Sequence, residues 1–241
     1  MEIASHRGNP FGPWVEVASF RTRALVLAVA CALAGAICFA VDLPVAAWAA
    51  TQPLPRELKR LFDLSEIFAH TTGVVALLAG LGAIDPARVW SWRASVFPDG
   101  ADLVTRPRAP FPRMIAATFA GGLVVDLIKL LVLRVRPRAL DMAVASSAID
   151  TFDRAAAALP QPGHGDLMSF PSGHAAVAAG FATMLAWRYP QGSAVFAVFA
   201  ALAAAQRVFS SAHYPSDVCF GAAIGIAGAA LLLGGRPQAP A

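Results

Sequence analysis

Residues 24–41, ALVLAVACALAGAICFAV, contain no charged side chain. As an α-helix rising about 1.5 Å per residue, this run comes close to crossing a hydrocarbon core of roughly 30 Å. Comparable runs recur at Ile67–Ile84, Met114–Val135, Phe170–Trp187, Ala194–Phe209 and Tyr214–Gly234, which makes six candidate spans. The composition agrees with this reading. The chain of 241 residues is 57% hydrophobic and only 14% charged, with a mean hydropathy of +0.60, whereas a soluble domain is about 25% charged. The expected architecture is an all-α polytopic membrane bundle of six transmembrane helices. A polar arm over 1–20 leads into a single membrane domain over 21–235. A cleaved signal peptide is the alternative for the first run, because Arg21 and Arg23 precede it and small residues surround Ala47–Ala50. Against that, its apolar core exceeds the usual h-region of about 7–15 residues, and a polar stretch lies ahead of it.

The net charge of +4 raises the question of a nucleic-acid partner, but the distribution of arginine answers it by topology. Arg7, Arg21 and Arg23 precede the first run. Arg88, Arg93, Arg106, Arg108 and Arg113 lie between the second and third, Arg188 between the fourth and fifth, and Arg236 after the sixth. With six crossings these segments share one side, and the positive-inside rule makes that side cytoplasmic. Both termini are then inside, and segments 51–66, 137–169 and 210–213 are outside, on a plasma membrane. No nucleic acid is expected as a partner, and protein partners are not legible.

Between the runs, the alternation in 51–66 suggests a short interfacial helix with Leu58, Leu61, Phe62 and Leu64 on one face. Residues 85–113, rich in proline, read as a loop. Segment 137–169 suggests a short helix around Ile149–Leu159 followed by turns. Cys31, Cys38 and Cys219 fall within apolar runs and offer neither a disulfide framework nor metal-ligand spacing.

Ionisable residues at the ends of the apolar runs carry the chemistry, because charge in hydrocarbon is costly unless paired or hydrated. The third run ends KLLVLRVRP. If it stays helical, Lys129 and Arg136 share one face two turns apart. Arg134, Arg136 and Arg138 can alternatively snorkel to headgroups, and Asp126 can pair with Lys129 three residues on. The fourth run opens SFPSGH, where Pro171 suits a first helical turn. Ser172 and Gly173 there present backbone N–H groups at a helix N-terminus beside His174, which is an anion site unless the histidine is a simple surface residue next to a capping serine. The turn QRVFSSAHYPSD places Arg207 at the end of the fifth run. His213 and Asp217 follow four apart at the start of the sixth, either as a catalytic pair or as a plain buried pair. Topology brings these clusters to one membrane face, a composition suited to binding and transferring a phosphoryl group.

Lys129–x6–Arg136–Pro137, then Pro171–Ser172–Gly173–His174, then Arg207–x5–His213–x3–Asp217, resembles the three-part signature of the type 2 phosphatidic acid phosphatase superfamily. The resemblance runs over residues 129–217 and departs at Gln206, where the family usually has serine. It implies that His213 is the nucleophile, passing through a phosphohistidine, with Asp217 orienting it and His174 as the acid. Lys129, Arg136, Ser172, Gly173 and Arg207 would bind phosphate. No cofactor is expected and no residue is assigned to a metal. His70 is read as a packing or interhelical residue, and His164 as a loop residue near the mouth.

The expected activity is hydrolysis of a lipid phosphate or pyrophosphate at the outer face, on substrates such as undecaprenyl pyrophosphate, phosphatidic acid or phosphatidylglycerophosphate. A lipid phosphotransferase with the same site is one alternative. A non-catalytic anion-binding or transport protein is another.

Overall fold

The computed structural model of the chain describes residues 12–51, 54–84, 110–141, 145–153 and 163–233. Among these the structure is helical, with no strand beyond isolated bridges. Helix α1 is Gly12–Cys38, α2 Asp42–Thr51, α3 Arg56–Ser65 and α4 Thr71–Ile84. After the undescribed residues 85–109 come α5 (Pro110–Lys129), α6 (Gly173–Arg188), α7 (Ser193–Phe209) and α8 (Pro215–Leu232). The expected proline-rich loop and the central part of the expected Ile149–Leu159 helix lie largely outside the described residues. What is described of the latter is a short 3-10 turn, Ala148–Thr151. Helix α1 begins at Gly12, so the expected arm over 1–20 is already helical in its second half.

Among the described residues, three helices are long and apolar enough to cross a bilayer: Phe20–Cys38 within α1, the stretch Pro190–Phe209 that contains α7, and α8. The pair Arg56–Phe68 and Thr71–Ile84, bent by 70°, makes a fourth if it is one broken span. Helix α5 carries Arg113, Asp126 and Lys129, and α6 has only 16 residues. These two complete the bundle without meeting that standard.

Helix α6 sits centrally, packed on α5, α7 and α8, while α1 packs on α8. Its residues from Ala175 to Ala182 are all buried. Small residues permit this close packing. A Cβ on Gly225 of α8 would collide with the backbone carbonyl of Ala176, and one on Gly221 with that of Ser172. Backbones that approach so closely gain dispersion contacts where lipid offers no hydrophobic drive. The outward faces remain apolar: Leu33, Ile37, Leu123, Leu130 and Leu131 are all at least 62% exposed, as a lipid-facing surface requires. Helix α3 is amphipathic as expected, with Phe62 buried, Leu61 and Leu64 exposed, and Lys59–Asp63 and Arg60–Glu57 pairs on its polar side.

The third apolar run does not remain helical to Val135. Helix α5 stops at Lys129, and the chain then runs between two other segments. Arg134 N donates to Leu167 O (2.9 Å), Val135 N to Thr151 O (2.9 Å), Arg136 N to Asp166 O (2.8 Å), and Ser169 N to Arg134 O (3.0 Å). These tertiary bonds satisfy the backbone that a longer helix would have paired internally. Lys129 and Arg136 therefore do not share a helix face.

Candidate active site

The C-terminal ends of α5 and α7 and the N-terminal ends of α6 and α8 meet at one end of the bundle. The turn joining α7 to α8 positions His213. Ser211 takes a left-handed conformation (φ 52°), and the amides of Ala212 and His213 both donate to the carbonyl of Arg207 at 3.1 Å. The imidazole is buried. Its Nδ1 lies 2.7 Å from the carbonyl oxygen of Ser169. A carbonyl only accepts, so Nδ1 carries the proton and Nε2 keeps a free lone pair.

Asp217 does not hold His213 by a hydrogen bond, as the spacing suggested. Its Oδ2 is 3.7 Å from Nδ1, beyond hydrogen-bond range, and it acts there through charge. The carboxylate is instead saturated by other donors. Arg134 Nη1 reaches Oδ1 and Ser169 Oγ reaches Oδ2, each at 2.5 Å, and the amide of Tyr214 donates to Oδ2 at 2.9 Å. Asp217 thus caps α8 while its charge faces the imidazole. Burial pushes the His213 imidazole below its ordinary value, against the opposing pull of Asp217, and the charges of Arg136 and Lys129 add to the depression.

Ser172 is the N-cap of α6, its Oγ accepting from Ala175 N at 3.4 Å. Its own amide is not available to an anion, because it donates to the carbonyl of Asp217 at 2.9 Å. The helix begins at Gly173, so Pro171 lies just ahead of it rather than in its first turn. What remains for an anion is the first helical turn at Gly173 and His174. A Cβ on Gly173 would stand 3.5 Å from Lys129 Nζ, so Lys129 reaches this turn from α5. A cavity of about 230 Å³ opens here, lined by Lys129, Gly173, His174, His70, Thr71 and Asp126 among others. Asp126 and Lys129 form no ion pair within 4.0 Å; both face the cavity.

Arg136 is half-buried, with Nε buried and without a partner. Burial and the neighbouring Arg138 pull its guanidinium below the ordinary value, and Arg207 adds to this, so an anion beside Arg136 would relieve it. Arg207 is held on two sides. Its Nε donates to Gln206 Oε1 at 2.5 Å, so the glutamine supplies a side-chain acceptor at the position where serine was expected. Its Nη2 donates to Glu66 Oε1 at 2.7 Å, and the same oxygen is 3.9 Å from His174 Nε2.

Sequence reasoning did not find Glu66, Ser169, Asp42 or the role of Arg134. Arg134, expected to snorkel, is fully buried and pairs with Asp42 and Asp217. Arg138 does lie at the surface, paired with Asp166 at 3.3 Å. His70, expected to pack between helices, is exposed and lines the cavity, its ring 5.6 Å from that of His174. The backbone of His164 opens a 3-10 turn. Among the described residues, no group of three His, Cys, Asp or Glu is arranged to hold a metal ion.

Two curated relatives share part of the chain. A lipid A 1-phosphatase of Rhizobium johnstonii is 34% identical over 106 residues, 44% of this chain and 39% of that protein. One of Rhizobium etli is 39% identical over 66 residues, 27% of this chain and 28% of that protein. The matched stretch is thus about two fifths or less of either relative's length. Two solved structures share the fold. Aquifex aeolicus LpxE superposes with a TM-score of 0.55 at 20% identity, over 80% of this chain and 95% of that one. A transmembrane PAP2 type phosphatidylglycerolphosphate phosphatase from Bacillus subtilis gives 0.51 at 20% identity, over 90% and 93%. The family model of the PAP2 superfamily matches residues 112–239, more than half of the chain, and takes in every residue of the three motifs. The protein belongs to the PAP2 superfamily.

Proposed function

We propose that the protein hydrolyses a lipid phosphate or pyrophosphate at the outer face of the plasma membrane through a phosphohistidine at His213, with both termini cytoplasmic. The observation that carries this reading is the imidazole itself. Its Nδ1 is fixed on the Ser169 carbonyl and no hydrogen-bond partner of its Nε2 is found among the described residues, with the charges of Lys129 and Arg136 acting on the ring. Phosphoryl transfer needs positioning and neutralisation of the equatorial oxygens more than covalent assistance, and Lys129, Arg136 and Arg207 provide it. Nε2 attacks phosphorus, the bond to the lipid oxygen breaks, and His174 gives that oxygen its proton. Water then attacks the phosphohistidine and returns its proton to His174, releasing phosphate and neutral His213. No step calls for a metal ion.

The lipid A 1-phosphatase relatives and the phosphatidylglycerolphosphate phosphatase fold define the substrates to try first, alongside phosphatidic acid and undecaprenyl pyrophosphate. The arginine distribution supports the orientation. The test is inorganic phosphate release by detergent-purified protein against this panel, with and without a chelator. Turnover should survive chelation and vanish in His213→Ala. Activity that needs added magnesium, or that persists in His213→Ala, would overturn the reading.

A further inference from the structure

Behind Asp217, on the side away from His213, lies a fully buried set of charges that the reaction above does not use. Arg134 is buried to 0% exposure with all three guanidinium nitrogens engaged. Nε donates to Thr151 Oγ1 at 2.8 Å, Nη1 to Ser216 Oγ at 2.8 Å and to Asp217 Oδ1, and Nη2 to Asp42 Oδ2 at 2.7 Å. Asp42 is equally buried. Its Oδ1 accepts from the amide of Ser216 at 2.9 Å and its Oδ2 from the Ser216 hydroxyl at 2.5 Å. The guanidinium is walled in by the rings of Tyr214, Phe152 and Phe39, at 4.1, 4.7 and 5.4 Å. Asp42 opens α2 and lies outside the 112–239 family match, so another part of the chain completes the surroundings of the site.

Burying three charges is costly, and hydrophobic residues of similar volume often serve stability as well or better. A cluster whose place in the core apolar residues could also fill, built instead against a functional carboxylate, points to the work of that carboxylate. The formal charge of Asp42, Arg134 and Asp217 together is −1. When Nε2 of His213 takes the phosphoryl group while Nδ1 keeps its proton, the ring becomes cationic, and the cluster becomes neutral with it. We infer that Asp42 and Arg134 are positioning residues that clamp Asp217 and set the negative field in which His213 becomes positive.

The inference rests on His213 being the nucleophile. The groups whose charges act on this imidazole come from several surrounding elements: Asp217 on α8, Arg136, and Lys129 at the end of α5, with His174 on α6 interacting with it and Arg207 at the end of α7 acting on His174. Arg134 and Asp42 stand behind Asp217, and Glu66 beyond Arg207 and His174. Removing the Asp42 charge makes the cluster less negative, so a proton leaves His213 at lower pH.

The test measures kcat, KM and the pH profile of kcat/KM on short-chain phosphatidic acid, for the full chain purified in detergent. The variants are Asp42→Asn, Arg134→Lys and His213→Ala, each checked for a monodisperse folded state. Asp42→Asn should lower kcat on the order of tenfold or more, leave KM within about twofold, and move the acid limb down by roughly half a pH unit. Arg134→Lys keeps the cation but loses the fork, and should show the same loss of kcat with KM retained; it carries the test if Asp42→Asn does not fold. A clamp with a purely structural role would lower kcat only in proportion to folded protein, with the acid limb in place, and that result, or wild-type kcat in the folded variants, overturns the inference. If His213→Ala keeps turning over, the nucleophile assignment fails instead.

Discussion

His213 has two ring nitrogens in opposite situations, one donating to the Ser169 carbonyl at 2.7 Å and the other without a hydrogen-bond partner among the described residues, and that asymmetry bears on its pH behaviour. The nucleophile must be neutral, so activity rises with pH as the imidazole loses its proton. Burial favours the neutral form, so the rise should lie below the ordinary imidazole value of about 6.5. A pH profile of kcat/KM measures it, and a rise centred well above that value would contradict the assignment. His174 has a separate role. Its replacement by Gln should cost about 10²–10⁴ in kcat/KM on an alkyl phosphate and far less on an aryl phosphate, whose oxygen leaves without a proton. The two histidines, Asp217, Lys129, Arg136 and Arg207 were legible in the sequence because each sits in a short motif. Arg134 was not. It is two residues from Arg136 in a run that reads as basic surface, and its partners Asp42 and Asp217 are 92 and 83 residues away. The one local signal for Asp42 was a single carboxylate directly after the apolar run that ends at Val41.

At the scale of the helices, packing between α6 and α8 holds the two motif-bearing N-termini together. The approach is between backbones, so it cannot relax by rotating a side chain. Gly225→Val would push against the Ala176 carbonyl and should destabilise the protein by about 3 kcal/mol, at the upper end of overpacking costs, read as a drop in thermal unfolding temperature in detergent. Gly80 of α4 is the control. A Cβ there meets nothing within 4 Å, and Gly80→Ala should be neutral or stabilising by up to about 1 kcal/mol. The apolar runs that became α1, α7 and α8 were readable because each is a continuous helix. The end of α5 was misread for a physical reason: Leu130–Val135 is as apolar as the helix before it. Only pairing with residues 151 and 166–169 takes it out of the helix, and periodicity does not report contacts so distant in sequence.

At the scale of the whole molecule, the outward apolar faces and the three long apolar helices among the described residues mark a membrane protein, and the match over residues 112–239 places it in the PAP2 superfamily. The charged residues of the candidate site, Lys129, Arg136, Arg207 and Asp217, are gathered with His174 and His213 at one end of the bundle. With the cations supplied by side chains, saturating chelator should leave kcat unchanged within about twofold, measured as phosphate release. The most direct test of the account is to catch the covalent species. The purified protein is mixed with excess short-chain phosphatidic acid, quenched in alkali within the first turnover, digested, and mapped by mass spectrometry. The account predicts phosphate on the peptide carrying His213, lost in His213→Ala and, when an aryl phosphate replaces the lipid as donor, accumulated in His174→Gln, whose hydrolysis of the intermediate is slowed. Phosphate on any other residue, or rapid turnover by His213→Ala, would contradict it.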